Sequence, residues 1–466
     1  LDTVKEFCRR FFSLDIKLYQ NRACYIMQQF LSDFSENEIR ACVEGAYNTD
    51  NFDDDRIAPL VKLDHGVYIM ELWHGPTSAF KDMALQILPL LLTASLRKTG
   101  DHAEVVILVA TSGDTGKAAL EGFKDVPGTR ILVFFPQEGV SQVQKLQMLT
   151  QEGNNVYVIG VKGNFDDAQN GVKNIFASDE AAEVLAARNM KLSSANSINW
   201  GRLLPQIVYY VSAYTDLLAG GSLAADKKVN IVVPTGNFGN ILAAFYAGKM
   251  GVPVNKLICA SNANNVLTDF IRTGTYDRNR TFEKTISPSM DILISSNLER
   301  LLYEITGHND EKVSVWMQEL KGQGSYRVDE ESRRAIAELF WADYSSDIET
   351  IARIREVWEK YRYLLDTHTA VAMDVYEKYR QSTGDDTAAI IASTASPFKF
   401  GSSVAKAVMD LKDGDAAGEF ELLRKLSAKT GWEIPSGIRN LEKMQVRHDS
   451  VTAVDDMQET MLSLLR

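Results

Sequence analysis

One lysine in this sequence has surroundings suited to covalent chemistry. Lys81 lies within His74–Asp82, where its neighbours are mostly small or apolar residues. Most lysines are solvated surface groups, and that is the alternative here. A lysine withdrawn from water loses its proton more easily, however, and its free amine can form a Schiff base with an aldehyde. Lys81 is therefore a candidate nucleophile.

Three loops of small polar residues are candidate ligand sites, because each directly follows an apolar, β-branched run. They are Thr111–Gly116, Pro234–Asn240 and Ser393–Pro397. In open α/β sheets, ligands bind where strands end and helix N-termini present free N–H groups. In the second loop, Gly236 and Gly239 would let several N–H groups converge on one phosphate, although an ordinary glycine-rich turn is equally compatible. A reactive lysine together with a phosphate site suggests pyridoxal phosphate as cofactor.

Other nucleotide and metal motifs do not fit. The first loop lacks the GxGxxG spacing of dinucleotide sites, and Ala118 follows Gly116-Lys117 where a P-loop needs Ser or Thr. The cysteines form no CxxC pair, which excludes the usual zinc spacings and a disulfide framework: Cys8, Cys24, Cys42 and Cys259. We expect no metal site, and cysteines of this kind are typical of a reducing cytoplasm.

The elements that must position these residues follow an α/β pattern. Buried strands are predicted at Val105–Ala110, Ile131–Phe135, Val156–Val161, Val229–Val233, Leu257–Ala260 and Ala388–Ala392. Helical periodicity separates several of them, at Gly116–Phe123, Ser141–Leu149, Phe165–Phe176 and Leu203–Leu218. Alternation of strand and helix predicts parallel sheets, and so an α/β fold.

Two regions depart from this alternation and define the predicted domains. Residues 1–58 carry helical spacing without a strand and form a helical N-terminal region. Residues 265–385 read as a helical insertion, with helices at Ser332–Trp341, Ile348–Tyr363 and Ala370–Arg380.

Length and charge exclude several classes of protein. The 466 residues predict two or three domains at about 150 residues each. The formal net charge is −12, and no run of five basic residues occurs, so binding to nucleic acid or to an anionic membrane is not expected. The longest apolar stretch, Ala84–Leu96, is shorter than the ~20 residues of a membrane span. The chain starts at Leu1, which leaves room for a missing N-terminal segment.

Several motifs, taken in order along the chain, resemble one enzyme family. They are His74–Asp82, Thr111–Gly116, Asn196–Arg202, Pro234–Asn240, Pro288–Arg300, His368–Ala370 and Ser393–Lys399. The resemblance is to the longer class of threonine synthases, fold-type II pyridoxal-phosphate enzymes with a tryptophan synthase β-like fold. It implies two parallel-sheet lobes, a small α/β lobe at 101–199 and a large cofactor-binding lobe formed by 59–100 and 200–466. It implies a carbon–oxygen lyase that converts O-phospho-L-homoserine and water to L-threonine and phosphate, by γ-elimination and β-addition of water, in the last step of threonine biosynthesis.

The resemblance also implies roles for individual residues. Lys81 would hold the cofactor and move protons, Thr394 (or else Ser393) would face the pyridine nitrogen, and Asp114 would lie near the ring. The cofactor phosphate would be bound by Gly236, Asn237, Phe238, Gly239 and Asn240. The substrate would be bound by Thr111, Ser112, Asp114, Thr115, Asn196, Ser197, Arg202, Asn240 and Lys399.

Some residues depart from the family, and alternatives remain. Ser396 stands where many relatives have His, and Thr367 precedes His368 where Pro is common. A surface role for Lys399 is as compatible with the sequence as a role in the site. A phospholyase that releases 2-oxobutyrate, ammonia and phosphate would share nearly all of these residues. The intact Lys81 argues against a third alternative, a catalytically silent binding protein. The sequence fits a monomer or a homodimer.

Overall fold

The computed structural model describes residues 18–111, 113–137, 140–409, 411 and 418–466. Within these ranges the strands are β1 Leu60–Asp64, β2 Val67–Glu71, β3 Glu104–Ala110, β4 Thr129–Pro136, β5 Val156–Lys162, β6 Met190–Ser193, β7 Val229–Pro234, β8 Val254–Ser261, β9 Thr275–Asp277, β10 Ser325–Arg327, β11 Phe340–Tyr344, β12 Ala389–Ser393 and β13 Val451–Ala453.

The helices of the same ranges alternate with many of these strands. They are α1 Tyr19–Gln28, α2 Glu36–Ala46, α3 Asp82–Leu85, α4 Leu88–Thr99, α5 Asp114–Phe123, α6 Gln142–Leu149, α7 Phe165–Phe176, α8 Asp179–Ala187, α9 Trp200–Ala219, α10 Gly239–Lys249, α11 Val266–Thr273, α12 Leu298–Ile305, α13 Asp310–Gln323, α14 Glu330–Leu339, α15 Asp347–Tyr361, α16 Thr367–Thr383, α17 Gly401–Met409, α18 Glu419–Thr430, α19 Ser436–Arg439 and α20 Met457–Leu464. No helix in the described part of the chain is long and apolar enough to span a membrane.

The chain folds into two compact units, each assembled from separate segments. The lysine unit consists of Ala23–Ile57, Trp73–Pro205 and Glu433–Arg466. The glycine-loop unit consists of the described residues up to Arg22, with Ala58–Leu72 and Gln206–Trp432.

The lysine unit contains a five-stranded sheet whose strands are all parallel, in the order β13-β5-β4-β3-β6. Both faces of this sheet are covered, as the side chains of β3 show. Its odd-numbered residues, such as Ile107, belong to one core cluster with residues of α5, whereas Val106 and Leu108 belong to a second cluster with residues of α7, α8 and α20. Successive side chains of a strand point to opposite faces, so an unbroken apolar run is what a doubly covered strand requires.

The glycine-loop unit contains a six-stranded sheet in the order β1-β2-β12-β7-β8-β11. Its pairs are parallel except for β1 and β2, which pair antiparallel at the edge. A short antiparallel pair, β9 with β10, belongs to the same unit. The α/β class with parallel sheets is confirmed, and each of the six predicted strands is present.

The insertion at 265–385 is not purely helical, contrary to the prediction. The predicted helix Ser332–Trp341 ends at Leu339, and β11 follows as a parallel edge strand beside β8. Strand β11 was missed because its sequence, Phe-Trp-Ala-Asp-Tyr, lacks the Val- and Ile-rich character of the other strands.

The domain boundaries also differ from those expected. Residues 73–100 and 433–466 belong to the lysine unit rather than to the large lobe. The reason for the second difference is β13, which extends the lysine unit's sheet by pairing with β5. Of the predicted N-terminal helical region, residues 18–57 contain α1 and α2, and residues 1–17 lie outside the described residues.

Candidate active site

Lys81 is buried beside a carboxylate in the lysine unit. Its side chain is 11% exposed, that of Asp114 is 3% exposed, and Nζ lies 3.7 Å from Oδ2 of Asp114. The Lys81 ammonium also lies 4.9 Å from the centroid of the Phe80 ring. The predicted nucleophile is therefore a largely desolvated lysine with an anionic neighbour, which is the environment that tunes a reactive amine.

The turn before Lys81 is held by the carboxylate of Asp82, the first residue of α3. This buried carboxylate accepts hydrogen bonds from the backbone N–H of Thr77 (2.8 Å) and from its hydroxyl (2.7 Å). A Cβ on Gly75 would lie only 2.5 Å from the Cβ of Asp82, so glycine is required there. The segment His74–Asp82 thus fixes the backbone from which Lys81 projects.

Asp114 is oriented by the loop between β3 and α5. Its Oδ1 accepts a hydrogen bond from Nε2 of Gln144 (2.8 Å), which leaves Oδ2 as the oxygen nearest Lys81. The hydroxyl of Thr111 accepts from the N–H groups of Gly113 and Gly116, both at 3.0 Å. The Thr111 hydroxyl therefore shapes the loop from within. Ser112, predicted to bind substrate, lies outside the described residues.

The substrate-anion residues predicted after β6 also belong to the lysine unit. Arg202, in the first turn of α9, is 3% exposed and donates from Nη1 to the carbonyl oxygen of Ala195 (2.9 Å). Burial lowers the pKa of Arg202 to about 10, so its guanidinium stays charged at neutral pH. Asn196 and Ser197 precede it and are partly buried, as is Thr115 in α5.

The loop between β7 and α10 has the features of an anion site in the glycine-loop unit. Within the described residues, the backbone N–H groups of 236–240 donate no hydrogen bond. The loop's carbonyl groups are tied down instead: Gly236 O accepts from the hydroxyl of Ser295 (2.9 Å), and Asn237 O accepts from Nδ2 of Asn297 (2.9 Å). Free N–H groups at a strand-to-helix turn are the donors that bind phosphate.

Two residues of this loop are constrained by their surroundings. A Cβ on Gly236 would lie 2.9 Å from the carbonyl oxygen of Ser289, so the loop passes too close to that wall for any larger residue. Phe238 has a φ of 63°, and its buried ring packs against Phe340 with centroids 5.8 Å apart. The ring anchors a left-handed backbone position that glycine would otherwise occupy.

Asn240 adds a further donor to the loop. Its Oδ1 accepts hydrogen bonds from the hydroxyls of Tyr209 (2.7 Å) and Tyr210. Its buried Nδ2 has no hydrogen-bond partner among the described residues. A buried amide donor without a partner is costly unless a ligand completes it, so this donor set fits a phosphate.

At the end of β12, two adjacent hydroxyls differ in their surroundings. The Ser393 hydroxyl lies 3.2 Å from the hydroxyl of Thr369 on α16. Thr394 is 6% exposed, and its hydroxyl makes no hydrogen bond to any described residue. This difference favours Thr394 over Ser393 as the hydroxyl available to a cofactor ring.

Lys399 is fully buried in the short 3-10 turn Pro397–Phe400, so the alternative of a surface role is wrong. Ser396, where many relatives have His, begins that turn and accepts a hydrogen bond from the N–H of Phe398 (3.4 Å). The predicted residues thus fall into two sets: 236–240, Ser393, Thr394 and Lys399 in the glycine-loop unit, and the others in the lysine unit.

Sequence reasoning missed several residues that support the site. Gln144, Tyr209 and Tyr210 orient predicted residues from helices distant in sequence, and nothing local marks them. Asp366 was missed as well, although an Asp before a helical run is the usual signal of an N-cap. Within the described ranges, no group of three or more His, Cys, Asp or Glu side chains is arranged to hold a metal ion.

Comparison with known proteins places these residues in context. A family model described as pyridoxal-phosphate dependent enzyme matches residues 47–342, and one described as threonine synthase, C-terminal, matches residues 369–459. Threonine synthase-like 1 of Homo sapiens is 40% identical over 410 residues, which cover 86% of this chain and 54% of that protein. The threonine synthase of Pseudomonas aeruginosa is 38% identical over 390 residues, covering 84% of this chain and 80% of that protein.

Solved structures are similar over nearly the whole chain. The pyridoxal-phosphate-bound threonine synthase of Brucella melitensis superposes with a TM-score of 0.85 at 35% identity, covering 98% of this chain and 90% of the other. Yeast threonine synthase gives a TM-score of 0.85 at 32% identity, with the same coverage. The chain spans about half the length of the threonine synthase-like 1 proteins that it matches, 54% in the human case.

Proposed function

The chain belongs to the threonine synthase family of pyridoxal-phosphate-dependent enzymes, and on that premise we propose that it converts O-phospho-L-homoserine and water to L-threonine and phosphate. The observation that carries the proposal is a pair of separate anion-binding sets in a chain with a buried, reactive lysine. One set is the free N–H groups of 236–240, and the other centres on the buried guanidinium of Arg202. A phosphorylated cofactor and a phosphorylated substrate together require two such sets.

The residues described above fit pyridoxal phosphate. Bound pyridoxal phosphate supplies the electron sink that stabilises negative charge on the substrate carbons. Lys81 would provide the amine that bonds to its aldehyde carbon, and the loop 236–240 with Nδ2 of Asn240 would provide donors for its phosphate. The hydroxyl of Thr394 would be the partner of the pyridine nitrogen. A neutral hydroxyl there would leave that nitrogen largely unprotonated, which would moderate the electron sink and restrain side reactions such as transamination.

Lys81 is also the group that would move protons at the substrate carbons. Its amine would take protons from Cα and Cβ, and the departing phosphate would keep the electron pair of its Cγ–O bond. The oxygen of water would bond to Cβ and give up one proton to the departed phosphate, while Lys81 would return protons to Cγ and Cα. Asp114, 3.7 Å from Nζ, favours the protonated amine at the stages where it must donate.

Arg202 binds and orients the leaving phosphate together with Asn196 and Ser197. A guanidinium offers a planar fork of donors that matches two phosphate oxygens, and burial strengthens that attraction. Because the positive charge is held in place before the substrate arrives, it would stabilise the negative charge of the departing phosphate without rearrangement of the site.

The test is a product analysis with the cofactor-loaded protein and O-phospho-L-homoserine. We expect phosphate and L-threonine to appear in equal amounts, and L-homoserine, which lacks the phosphate, to remain unconverted. Release of 2-oxobutyrate and ammonia in amounts equal to phosphate would identify a phospholyase instead. No release of phosphate from a protein that carries the cofactor would point to a silent binding protein.

A further inference from the structure

A buried carboxylate in the glycine-loop unit, outside the residues assigned so far, makes several contacts at the start of α16. Asp366 is fully buried and caps the N-terminus of α16. Its Oδ1 accepts a hydrogen bond from the N–H of His368 (2.9 Å) and lies 3.1 Å from Nδ1 of the same residue. Its Oδ2 accepts from the N–H of Thr369 (3.3 Å) and from the Thr369 hydroxyl. A helix cap needs one or two of these bonds, so the remaining contacts call for another explanation.

One arm of this arrangement leads to the phosphate loop through His368. Nε2 of His368 accepts a hydrogen bond from the backbone N–H of Ser289 (3.1 Å). Because Nε2 accepts, the ring is neutral with its proton on Nδ1, the nitrogen that faces Asp366. Ser289 is the residue whose carbonyl oxygen closes on Gly236, 2.9 Å from the position of a Cβ there. The contacts from Asp366 through His368 therefore end at Ser289, the wall against which Gly236 of the phosphate loop packs.

The other arm leads to the end of β12 through Thr369. The Thr369 hydroxyl lies between Oδ2 of Asp366 and the Ser393 hydroxyl, 3.2 Å away. Ser393 precedes Thr394 and holds the strand end in place, since its carbonyl oxygen accepts from the N–H of Leu72 (3.0 Å). The two carboxylate oxygens of Asp366 are thus linked, through His368 and Thr369, to the phosphate loop and to the end of β12. The proposed function assigns both of these parts to the cofactor.

We propose that Asp366 is the positioning residue for the cofactor, with Thr369 setting the strand end that carries Thr394 and His368 setting the wall behind Gly236. The inference rests on the proposed function, because it assumes that these parts bind pyridoxal phosphate. All three residues are buried, and their hydrogen bonds described above are to groups of the protein. Their effect is exerted through the groups that they hold, as supporting hydrogen bonds act at other sites.

The two arms predict different losses, which makes them separable. Thr369→Val keeps the shape of the side chain and removes the hydroxyl, so it disturbs the ring partner. His368→Asn keeps a donor near the position of Nδ1 and removes the acceptor that holds Ser289, so it disturbs the phosphate loop. Pyridoxal, which lacks the phosphate, distinguishes the loop from the ring.

The experiment measures absorbance, fluorescence and dissociation constants of pyridoxal phosphate and pyridoxal bound to the full chain, without substrate. We expect Thr369→Val to shift the absorbance and emission of the bound cofactor and to weaken both ligands about two- to tenfold, the effect of one lost hydrogen bond. Thr369→Ser should restore the wild-type values. His368→Asn should weaken pyridoxal phosphate by a similar factor and leave pyridoxal unchanged.

The control is Thr383→Val, the same substitution at the exposed end of α16, which should leave all readings unchanged. Unaltered spectra and affinities in Thr369→Val would overturn the inference but not the proposed function. Equal weakening of both ligands in His368→Asn would have the same consequence. If Thr369→Val fails to fold while Thr369→Ser and Thr383→Val fold and bind normally, the decision rests on His368→Asn. Selective weakening of pyridoxal phosphate in His368→Asn then supports the inference, and its absence overturns the inference. A wild-type chain that takes up no cofactor would overturn the proposed function, and this inference with it.

Discussion

Nζ of Lys81 lies 3.7 Å from Oδ2 of Asp114, and both side chains are almost fully buried. An anion at that distance in a poorly hydrated site favours a positive charge on the nitrogen. The position of the nitrogen's protonation equilibrium therefore depends on Asp114. Gln144 in turn fixes Asp114 through the other carboxylate oxygen.

Replacement of this carboxylate should move a visible titration. In Asp114→Asn the negative charge is lost, so we expect the pH midpoint of the change in cofactor absorbance to fall. The measurement is a spectrophotometric titration of the cofactor-loaded protein. Asp101→Asn, which removes an ion pair with Lys191 elsewhere in the lysine unit, is the matched control and should titrate like wild type. An unchanged or higher midpoint for Asp114→Asn would show that this carboxylate does not stabilise the charge.

Lys81→Ala should abolish covalent attachment of the cofactor. We expect the protein-linked absorbance band to disappear and turnover to fall by roughly a thousandfold or more, because both the bond and the proton carrier are lost. Spectra before and after reduction with borohydride, together with a phosphate-release assay, measure the two effects. Lys162→Ala, at an exposed position, provides the control. A band that survives in Lys81→Ala would mean that another lysine carries the cofactor.

The glycine loop allows a graded steric test. In Gly236→Ala the new Cβ would meet the Ser289 carbonyl at 2.9 Å and Cα of Met290 at 3.2 Å, so the loop must shift. We expect the affinity for the cofactor to fall at least about tenfold. The control is Gly322→Ala, which has open space around it inside α13; it should bind the cofactor normally, and its free energy of unfolding should rise by about 0.5–1 kcal/mol. Equilibrium dialysis and urea denaturation measure these quantities. If Gly236→Ala bound the cofactor as tightly as Gly322→Ala, the loop would not hold its phosphate.

Arg202→Lys should separate binding of the substrate phosphate from binding of the cofactor. Lysine retains a charge but lacks the planar fork of donors, so we expect KM for O-phospho-L-homoserine to rise about tenfold or more while the cofactor spectrum stays unchanged. Steady-state kinetics and the absorbance spectrum of the same preparation test this. Arg188→Lys, at an exposed position of the same unit, should leave KM as it is. A loss of cofactor without a change in KM would assign Arg202 to the cofactor.

Asp385 should make the stability of the glycine-loop unit depend on acid pH. Partial burial alone would raise its pKa, but hydrogen bonds from Thr387, Tyr379 and Asn230 hold the pKa well below the ordinary value. A pKa that is lower in the folded state contributes stability above the ordinary aspartate pKa, and this contribution is lost as the pH falls below about 4. Asp385→Asn should therefore lower the free energy of unfolding by about 2 kcal/mol at pH 7, and by less at pH 3.

Urea denaturation at the two pH values measures this difference. Asp386→Asn is the control, because that neighbouring carboxylate is exposed and makes no hydrogen bond to any described residue. An equal loss of stability for Asp385→Asn at both pH values would exclude the charge as its cause.

Much of the fold could be predicted because buried parallel strands have a recognisable composition. The run Glu-Val-Val-Ile-Leu-Val-Ala in β3 is short and rich in β-branched residues, which favours a strand covered on both faces, where apolar residues need not alternate with polar ones. Strands β11 and β13 lie at sheet edges, are short or mixed in composition, and depend on partners far along the chain. Their pairing is set by tertiary contacts that no local pattern encodes.

The candidate site divides in the same way. The loops around Asp114, Gly236 and Thr394 could be found because ligand loops follow strands, and strands are recognisable. Gln144 could not be assigned, because a buried polar side chain looks like any other in a sequence. Asp366 could have been recognised as an N-cap, but its contacts with His368 and Thr369 as part of a network could not. Their importance arises from distances across the fold.

The pairing of β13 with β5 sets the order in which a newly made chain can mature. The segment Val451–Ala453 emerges from the ribosome almost three hundred residues after Val156–Lys162, when all of Gln206–Trp432 has already been made. The parallel sheet of the lysine unit therefore keeps an open edge at β5 until that segment has been made, whereas every described segment of the glycine-loop unit precedes it. A stop between Trp432 and Val451 would yield a chain that has its phosphate loop but lacks the edge strand of the unit that carries Lys81.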